Sequence, residues 1–515
     1  MREETGVVLG LFGKKSDHPL ADMKSAQLLL DDISKTDSIK ALQELSEWLE
    51  TLRADAEDLR LDHHWAVLRL FDQAAQPHVR KLLYDYFSVQ PLSKFQENRL
   101  WSLLDGYYTQ SDLCHHEVLS RYREGAKGAS AIKQELPLIC ARGIAAIAGR
   151  LKLAAARYTL VDPAFWLRLA GHYGLAESQG FQLEPVVIYP AVNTSVAQEF
   201  AALIAWYGTS AGTLNPLQEH ISERLFAHLG KGLQISSSYN GGGLFVFDTA
   251  QPTPPMRITA ETTLHPALRY IDAEGMKLQL EGLIRTLDKG IVPDSLNLYG
   301  AKFEAELVRD VAQRLLQGLI LPPAMRRNPR RKLSVRLNVA NGFFKMLEKT
   351  DVSLNFGADE SEIWEVEDIS ATGFRSVVPV ARADGIKIGS LIGSRPESIS
   401  HWGAGVVRRL HRDAENNLHI GVEILSPRFV GVSLSDPSLT GAESDLVGMY
   451  LNRPSDSSGE AWLLMKPETY TGSRSLTMRL NGKGYLLLPV ALVERGEDHD
   501  LARYRMMEQD AASEE

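Results

Sequence analysis

Four arginines fall within six residues, Arg326, Arg327, Arg330 and Arg331. Guanidinium is planar and permanently charged, pairs bidentately with phosphate or the Hoogsteen edge of guanine, and stacks on aromatic rings. Such a run addresses an anion, and read alone it describes a solvated linker or a nucleic-acid patch. Thirty-eight residues after Arg330 the run IWEVEDI closes on Asp368-Ile369-Ser370-Ala371-Thr372-Gly373. A strand-end turn with Asp, Ser and Gly offers a carboxylate acceptor, a hydroxyl and a backbone that can be approached closely. By itself that turn is a structural commonplace.

Other patterns carry less. Residues 208–212, GTSAG, fit G-x-S-x-G, but a nucleophile elbow needs a strand before it and a helix after it. Here a helical pattern precedes and Asn215-Pro216 follows, so an interhelical loop is expected, and a serine hydrolase centred on Ser210 is a remote alternative. His63-His64 and His115-His116 are adjacent pairs that diverge on a helix instead of converging on one metal. Gly241-Gly242-Gly243 lacks the Lys-Ser/Thr of a phosphate loop and reads as a turn. Cys114 and Cys140 make neither a disulfide framework nor a thiolate zinc cluster, which suits a reducing compartment. No catalytic residue, metal site or cofactor is expected.

The elements that hold these residues change in kind along the chain. Residues 14–105 contain no glycine and three prolines (Pro19, Pro77 and Pro91), with apolar residues at helical intervals. Ile39, Leu42, Leu45, Leu49 and Leu52 make one face, and Leu61, Trp65, Leu68 and Phe71 a second. Val79, Leu82, Leu83, Tyr86 and Phe87 follow after Pro77. Cys140, Ile144, Ile147 and Leu151 continue the pattern, and Phe303, Leu307, Val311, Leu315 and Leu319 close it before Pro322 and Pro323. WLRLAGHY at 166–173 matches the opening of a tetratricopeptide repeat, but without a second copy a generic helical bundle or irregular solenoid is the better expectation. Residues 231–260 alternate short β-prone runs with turn residues, predicting a small β-hairpin or ordered loop within the helical region. From residue 322 short strands (LSVRLNV, IWEVEDI, FRSVVPV, GIKIGSLIG, GAGVVRRL, HIGVEIL) alternate with turns, the grammar of an antiparallel barrel or sandwich.

The fold class is therefore multidomain α + β. A helical domain is expected over 1–321, a β-barrel over 322–430, a β-rich segment over 431–503 and an acidic tail over 504–515. R-x-x-x-R ahead of a barrel, joined to D-x-S-x-x-G at a strand end, resembles the PilZ domain, the bacterial receptor module for cyclic di-GMP. The resemblance covers roughly residues 325–425 and extends to GVVRR at 405–409 and GVEI at 421–424. It implies that Arg326 and Arg330 grip the ligand, with Arg327 or Arg331 as an auxiliary phosphate contact; the register one residue later stays open. Asp368 would accept from a guanine edge, Ser370 would bond a phosphate or base, and Gly373 would let the turn approach the ligand. The chain departs from the family pattern in the insertion FGADESE between the first two strands and in Arg375 after the glycine. One or two ligand molecules per site both remain open.

What the resemblance implies is a non-enzymatic effector. Cyclic di-GMP binding at the domain joint would reorient a helical domain that meets an unidentified protein partner, in control of motility, adhesion, exopolysaccharide or biofilm. A nucleic-acid-binding adaptor built on the arginine cluster is the alternative. Formal charge is −9 for the chain, with 65 acidic against 56 basic residues, which argues against indiscriminate nucleic-acid binding. Residues 322–431 carry 16 basic and 13 acidic side chains, so the barrel is the electropositive part. Residues 200–218, the best uncharged run, lose their apolar character halfway and predict no membrane insertion, and the amino terminus has no secretory pattern. A cytoplasmic protein is expected.

Overall fold

The computed structural model describes residues 19–33, 35–88, 92–296, 303–320, 331–350, 361–383, 385–436, 445–453 and 459–509. The chain divides into two compact units. The first takes residues 1–154, 161–210 and 217–321, and the second takes 155–160, 211–216 and 322–515. The expected α + β class holds: helices dominate the first part of the chain, and antiparallel barrels follow.

The first unit begins with α1 (Met23–Ile33), α2 (Ser38–Ala54), α3 (Leu61–Tyr86) and α4 (Lys94–Arg123). Asp37 starts α2 by accepting from the N–H groups of Ile39 and Lys40 at 2.9 and 3.1 Å, and Ser93 with Gln96 forms a reciprocal capping box for α4. Pro77 does not divide the pattern as the sequence suggested, because it sits inside α3. Further on come α5 (Leu136–Ala156), α6 (Pro163–Gln179), α7 (Val196–Ser210), α8 (Pro216–Leu229), α9 (Glu274–Leu287) and α10 (Ala305–Ile320). On α10 the buried stripe is Val308, Val311, Ala312, Leu315 and Leu319, so Leu307 stands at its margin. The double proline beyond it lies outside the described residues.

One buried carboxylate in this unit is matched by a full set of donors. Asp72, fully buried, accepts from Tyr107 Oη at 2.7 Å, Ser111 Oγ at 3.2 Å, Tyr189 Oη at 3.0 Å and Arg142 Nη1 at 3.2 Å. A buried carboxylate left without such donors would cost several kcal/mol, on the order of 3–5 when one partner of a pair is removed. The expected hairpin at 231–260 is instead part of a four-stranded sheet. Its strands are β3 (Gln234–Ser236), β4 (Phe245–Asp248), β5 (Met256–Arg257) and β6 (Leu268–Asp272), in the order β3-β6-β4-β5. A two-stranded sheet, β1 (Val186–Tyr189) with β2 (Val192–Thr194), precedes α7 and was not foreseen.

The second unit holds two closed barrels. The first contains β7 (Arg331–Asn341), β8 (Glu362–Ser370), β9 (Gly373–Pro379), β10 (Leu391–Pro396), β11 (Gly403–Arg412) and β12 (Asn417–Ser426), in the cyclic order β10-β11-β12-β9-β8-β7. A short helix, α11 (Phe343–Leu347), follows β7. Strand alternation fills the interior with Trp364, Val366, Phe374, Val378, Ile420 and Val422. The second barrel is formed by β13 (Arg428–Ser435), β14 (Asp445–Asn452), β15 (Glu460–Met465), β16 (Leu476–Leu480), β17 (Lys483–Arg495) and β18 (Asp500–Gln509). Its core includes Leu434, Leu463, Met478, Leu487 and Tyr504.

Two expected boundaries therefore fall within strands. A cut after residue 430 passes through β13, because only Pro427 separates β12 from β13. A tail from residue 504 takes in six of the ten residues of β18. A shared apolar cluster joins the barrels, with Phe343, Met346, Leu391 and Trp402 packed with Phe429, Met449, Leu464 and Leu501. Asp498 ties the seam by accepting from the N–H groups of Phe343 and Leu391, each at 3.2 Å.

Candidate functional site

The hairpin between β8 and β9 carries the D-x-S-x-x-G residues. Ser370 is paired with Gly373, Ile369 with Phe374 and Asp368 with Arg375. The Ser370 hydroxyl donates to the Gly373 carbonyl at 3.1 Å and accepts from Thr372 N–H at 3.4 Å, so it closes the turn from inside. Ile424 N–H donates to the Thr372 carbonyl at 3.0 Å and ties the turn to β12. Gly373 meets a steric requirement of the barrel itself: a Cβ there would stand 2.5 Å from the Val422 carbonyl oxygen on β12. The closeness that this glycine permits is to a neighbouring strand.

Arg331 opens β7 opposite Ile369, and Lys332 stands opposite Asp368. The chain thus enters the barrel beside the β8–β9 hairpin. Arg326, Arg327 and Arg330 lie outside the described residues, as does most of the FGADESE insertion, and only the backbone of Arg331 is described.

Register places one row of residues across five strands: Lys332 on β7, Asp368 on β8, Arg375 on β9, Gly421 on β12 and Arg409 on β11. Directly paired residues share a face, and the next row, with Ile369, Phe374 and Val422, packs on the core. Lys332, Arg375 and Arg409 are exposed, so this row lies on the outer surface. At about 4.8 Å between strands the row spans roughly 19 Å. Gly421, fourth in the row, leaves a gap without a side chain between Arg375 and Arg409.

Asp368 is not an idle acceptor. Its carboxylate is 3.8 Å from Arg375 Nε, and Arg375 also pairs with Glu367. Lys332 and Arg409 form no ion pair among the described residues. Beside the row, His419 pairs with Asp413 at 2.9 Å, and its ring lies 5.5 Å from that of His411. The Asn417 N–H, with the His419 ring, holds the Asp413 carboxyl at about 2, while burial and the neighbouring His419 push His411 down.

Chemically, the row can offer cations to phosphate, a carboxylate to a base edge and a flat floor at Gly421. The sequence reading contained Asp368, Ser370, Gly373 and Arg375 but missed Lys332, Arg409 and Gly421. GVVRR and GVEI were visible as strands; what could have placed them in the site is their pairing, which becomes known only when the barrel closes.

The remaining candidates are structural. Ser210 ends α7 and is buried, its hydroxyl donating to the Trp206 carbonyl at 3.0 Å and to Glu219 Oε2 at 2.9 Å, with a helix before it and no elbow. His64 and His115 are buried in the helical core. Among the described residues no group of three or more His, Cys, Asp or Glu could hold a metal ion, and no helix is long and apolar enough to cross a membrane.

Residues 24–238 match the family model described as the N-terminal domain of the cyclic-di-GMP receptor FimW. The match lies in the helical part of the chain, for which periodicity alone predicts a generic bundle or irregular solenoid. It runs from α1 through β3. No curated protein matches the chain.

Proposed function

We propose that this protein is a cyclic di-GMP receptor that binds the nucleotide on the outer face of its first barrel, with the arginine run that precedes β7, and acts without catalysing a reaction. The observation that carries the reading is the match of residues 24–238 to a domain described from a cyclic-di-GMP receptor, in a chain whose following barrel resembles an independent cyclic di-GMP module. Two unrelated stretches of sequence point to the same ligand. The chemistry agrees: the ligand has two phosphodiesters and two guanines, and the row offers Lys332 and Arg409 to the first and Asp368 to the second. Arg330 immediately precedes Arg331, whose backbone lies beside the hairpin.

Binding would exchange the Asp368–Arg375 contact for contacts with the guanine edge. Nucleotide held jointly by the arginine run and the barrel favours some arrangements of the helical unit over others, which is the means by which a protein partner would sense the messenger. Control of motility, adhesion or biofilm in a bacterial cytoplasm follows from the resemblance to the PilZ module.

Titration calorimetry of the full chain with cyclic di-GMP tests this. A lost bidentate guanine contact costs about 1–3 kcal/mol, so Arg330→Ala and Asp368→Ala should each weaken binding by roughly one to two decades. Affinity unchanged in both variants would remove the assignment. A nucleic-acid adaptor would instead show steep salt dependence and no preference for the cyclic dinucleotide.

A further inference from the structure

Within the helical unit, α3, α4, α5, α7, α8 and the β1–β2 hairpin line a cavity of about 170 Å³. That is room for a ligand and not only for one bridging water. Its walls are ionic to an unusual degree for the inside of a helical domain. Lys152, with 4 % of its side chain exposed, holds Glu223 at 2.6 Å, and Arg224 reaches the other oxygen of Glu223 at 3.5 Å. Arg80 supplies a third cation, half-buried on α3, which no carboxylate pairs among the described residues. Against these three cations stand two carboxyl groups, Glu223 and Glu199. Burial pushes the Glu199 carboxyl above its ordinary range, against the Thr194 hydroxyl that donates to it, and likewise pushes the Lys152 ammonium below its own. By count, the lining holds three cationic side chains against two carboxyl groups, in a place where charge is expensive to keep.

Five helices and the β1–β2 hairpin converge to build this cavity, and local sequence provides for it. Gly149 on α5 faces Tyr108, and a Cβ there would stand 2.2 Å from that ring, so the glycine lets the ring lie along the cavity wall. Tyr189, on the hairpin that forms another wall, is fixed by its 3.0 Å bond to Asp72. Among the described residues, none from either barrel lines it.

We propose that this cavity is a second binding site, separate from the barrel face, for a small molecule bearing an oxyanion, either carboxylate or phosphate, received by Arg80 with Lys152 and Arg224. The Lys152–Glu223 pair keeps the empty site neutral enough to fold, and Arg80 supplies the charge that a ligand would neutralise. The helical unit then reports a small anionic metabolite whether or not cyclic di-GMP is bound.

The test uses the full chain and two probes, inorganic phosphate and succinate, by calorimetry and thermal melting against sodium chloride of matched ionic strength. One probe at least should bind saturably, once per chain, and raise Tm; which one does so distinguishes phosphate from carboxylate recognition. Arg80→Gln should weaken binding roughly tenfold, the order expected for a charged hydrogen bond, and Ala148→Phe, which fills the cavity, should abolish it. Lys152 is left in place because its loss would strand Glu223. Arg330→Ala should keep full affinity for the probe, so failure here and failure of the barrel reading are told apart. No saturable binding beyond the chloride control overturns the proposal, and so does binding that Arg80→Gln leaves unchanged. Should Ala148→Phe not fold, Arg80→Gln alone decides.

Discussion

At Gly373 a single missing carbon sets the spacing of two strands. The Val422 carbonyl occupies the space where a Cβ would be, and backbone cannot swing aside as a long side chain can. Gly373→Ala should therefore destabilise the protein by about 1–3 kcal/mol, the range for forcing volume into packed structure, as read by urea unfolding. A loss below a few tenths would mean that β9 and β12 part freely. The residue was legible in the sequence as part of a motif, but its reason was not. The atom it must avoid is 49 positions further along the chain, and local pattern carries no trace of it. Ser370 has a similar history, since its hydroxyl is spent on the turn that presents Asp368.

At the level of elements, periodicity served well where burial is one-sided. The face of Leu42, Leu45, Leu49 and Leu52 is buried on α2 as its spacing predicts, and the short alternating runs after residue 330 are strands, except that GIKIGSLIG becomes strand only from Leu391. It failed where tertiary pairing decides. A four-stranded sheet needed β6, whose LRYID is too short to announce itself, and the cavity charges are scattered over helices that only packing brings together. Between α7 and α8 the same packing sets a pH response. Burial holds the Glu219 carboxyl up at about 8, although the Ser210 hydroxyl donates to it. The unfolded chain ionises it near 4.5, so between those values the folded state binds more protons and stability falls as pH rises, levelling above about 8. Glu219→Gln should flatten that decline and gain on the order of 1–4 kcal/mol at pH 8, measured by denaturant melts across pH 5–9. An unchanged slope would show that Glu219 is ionised throughout.

Across the whole molecule, the second unit behaves as one cooperative piece if its shared cluster matters. Leu464 lies on β15 yet packs with Phe343 and Trp402 of the other barrel. Leu464→Ala should cost about 2–5 kcal/mol and lower the unfolding midpoint of both barrels together, followed by Trp364 fluorescence in the first barrel and Trp462 in the second with the other tryptophans replaced. Two separated transitions would mean that the seam carries little energy. The family match adds what neither barrel could offer, because it ties the helical part of the chain to a receptor domain that no repeat or motif had signalled.

The junction at Pro427 bears on how the barrels can be handled at the bench. With β12 ending at Ser426 and β13 starting at Arg428, and the Ser426 hydroxyl donating to the Asn452 carbonyl at 2.7 Å, scissors placed after residue 430 would leave a torn hem and bare Phe343 and Trp402 to water. The two barrels have to be kept in one piece, and residues 155–160 and 211–216 kept with them, since the Arg412 N–H donates to the Tyr158 carbonyl at 2.7 Å.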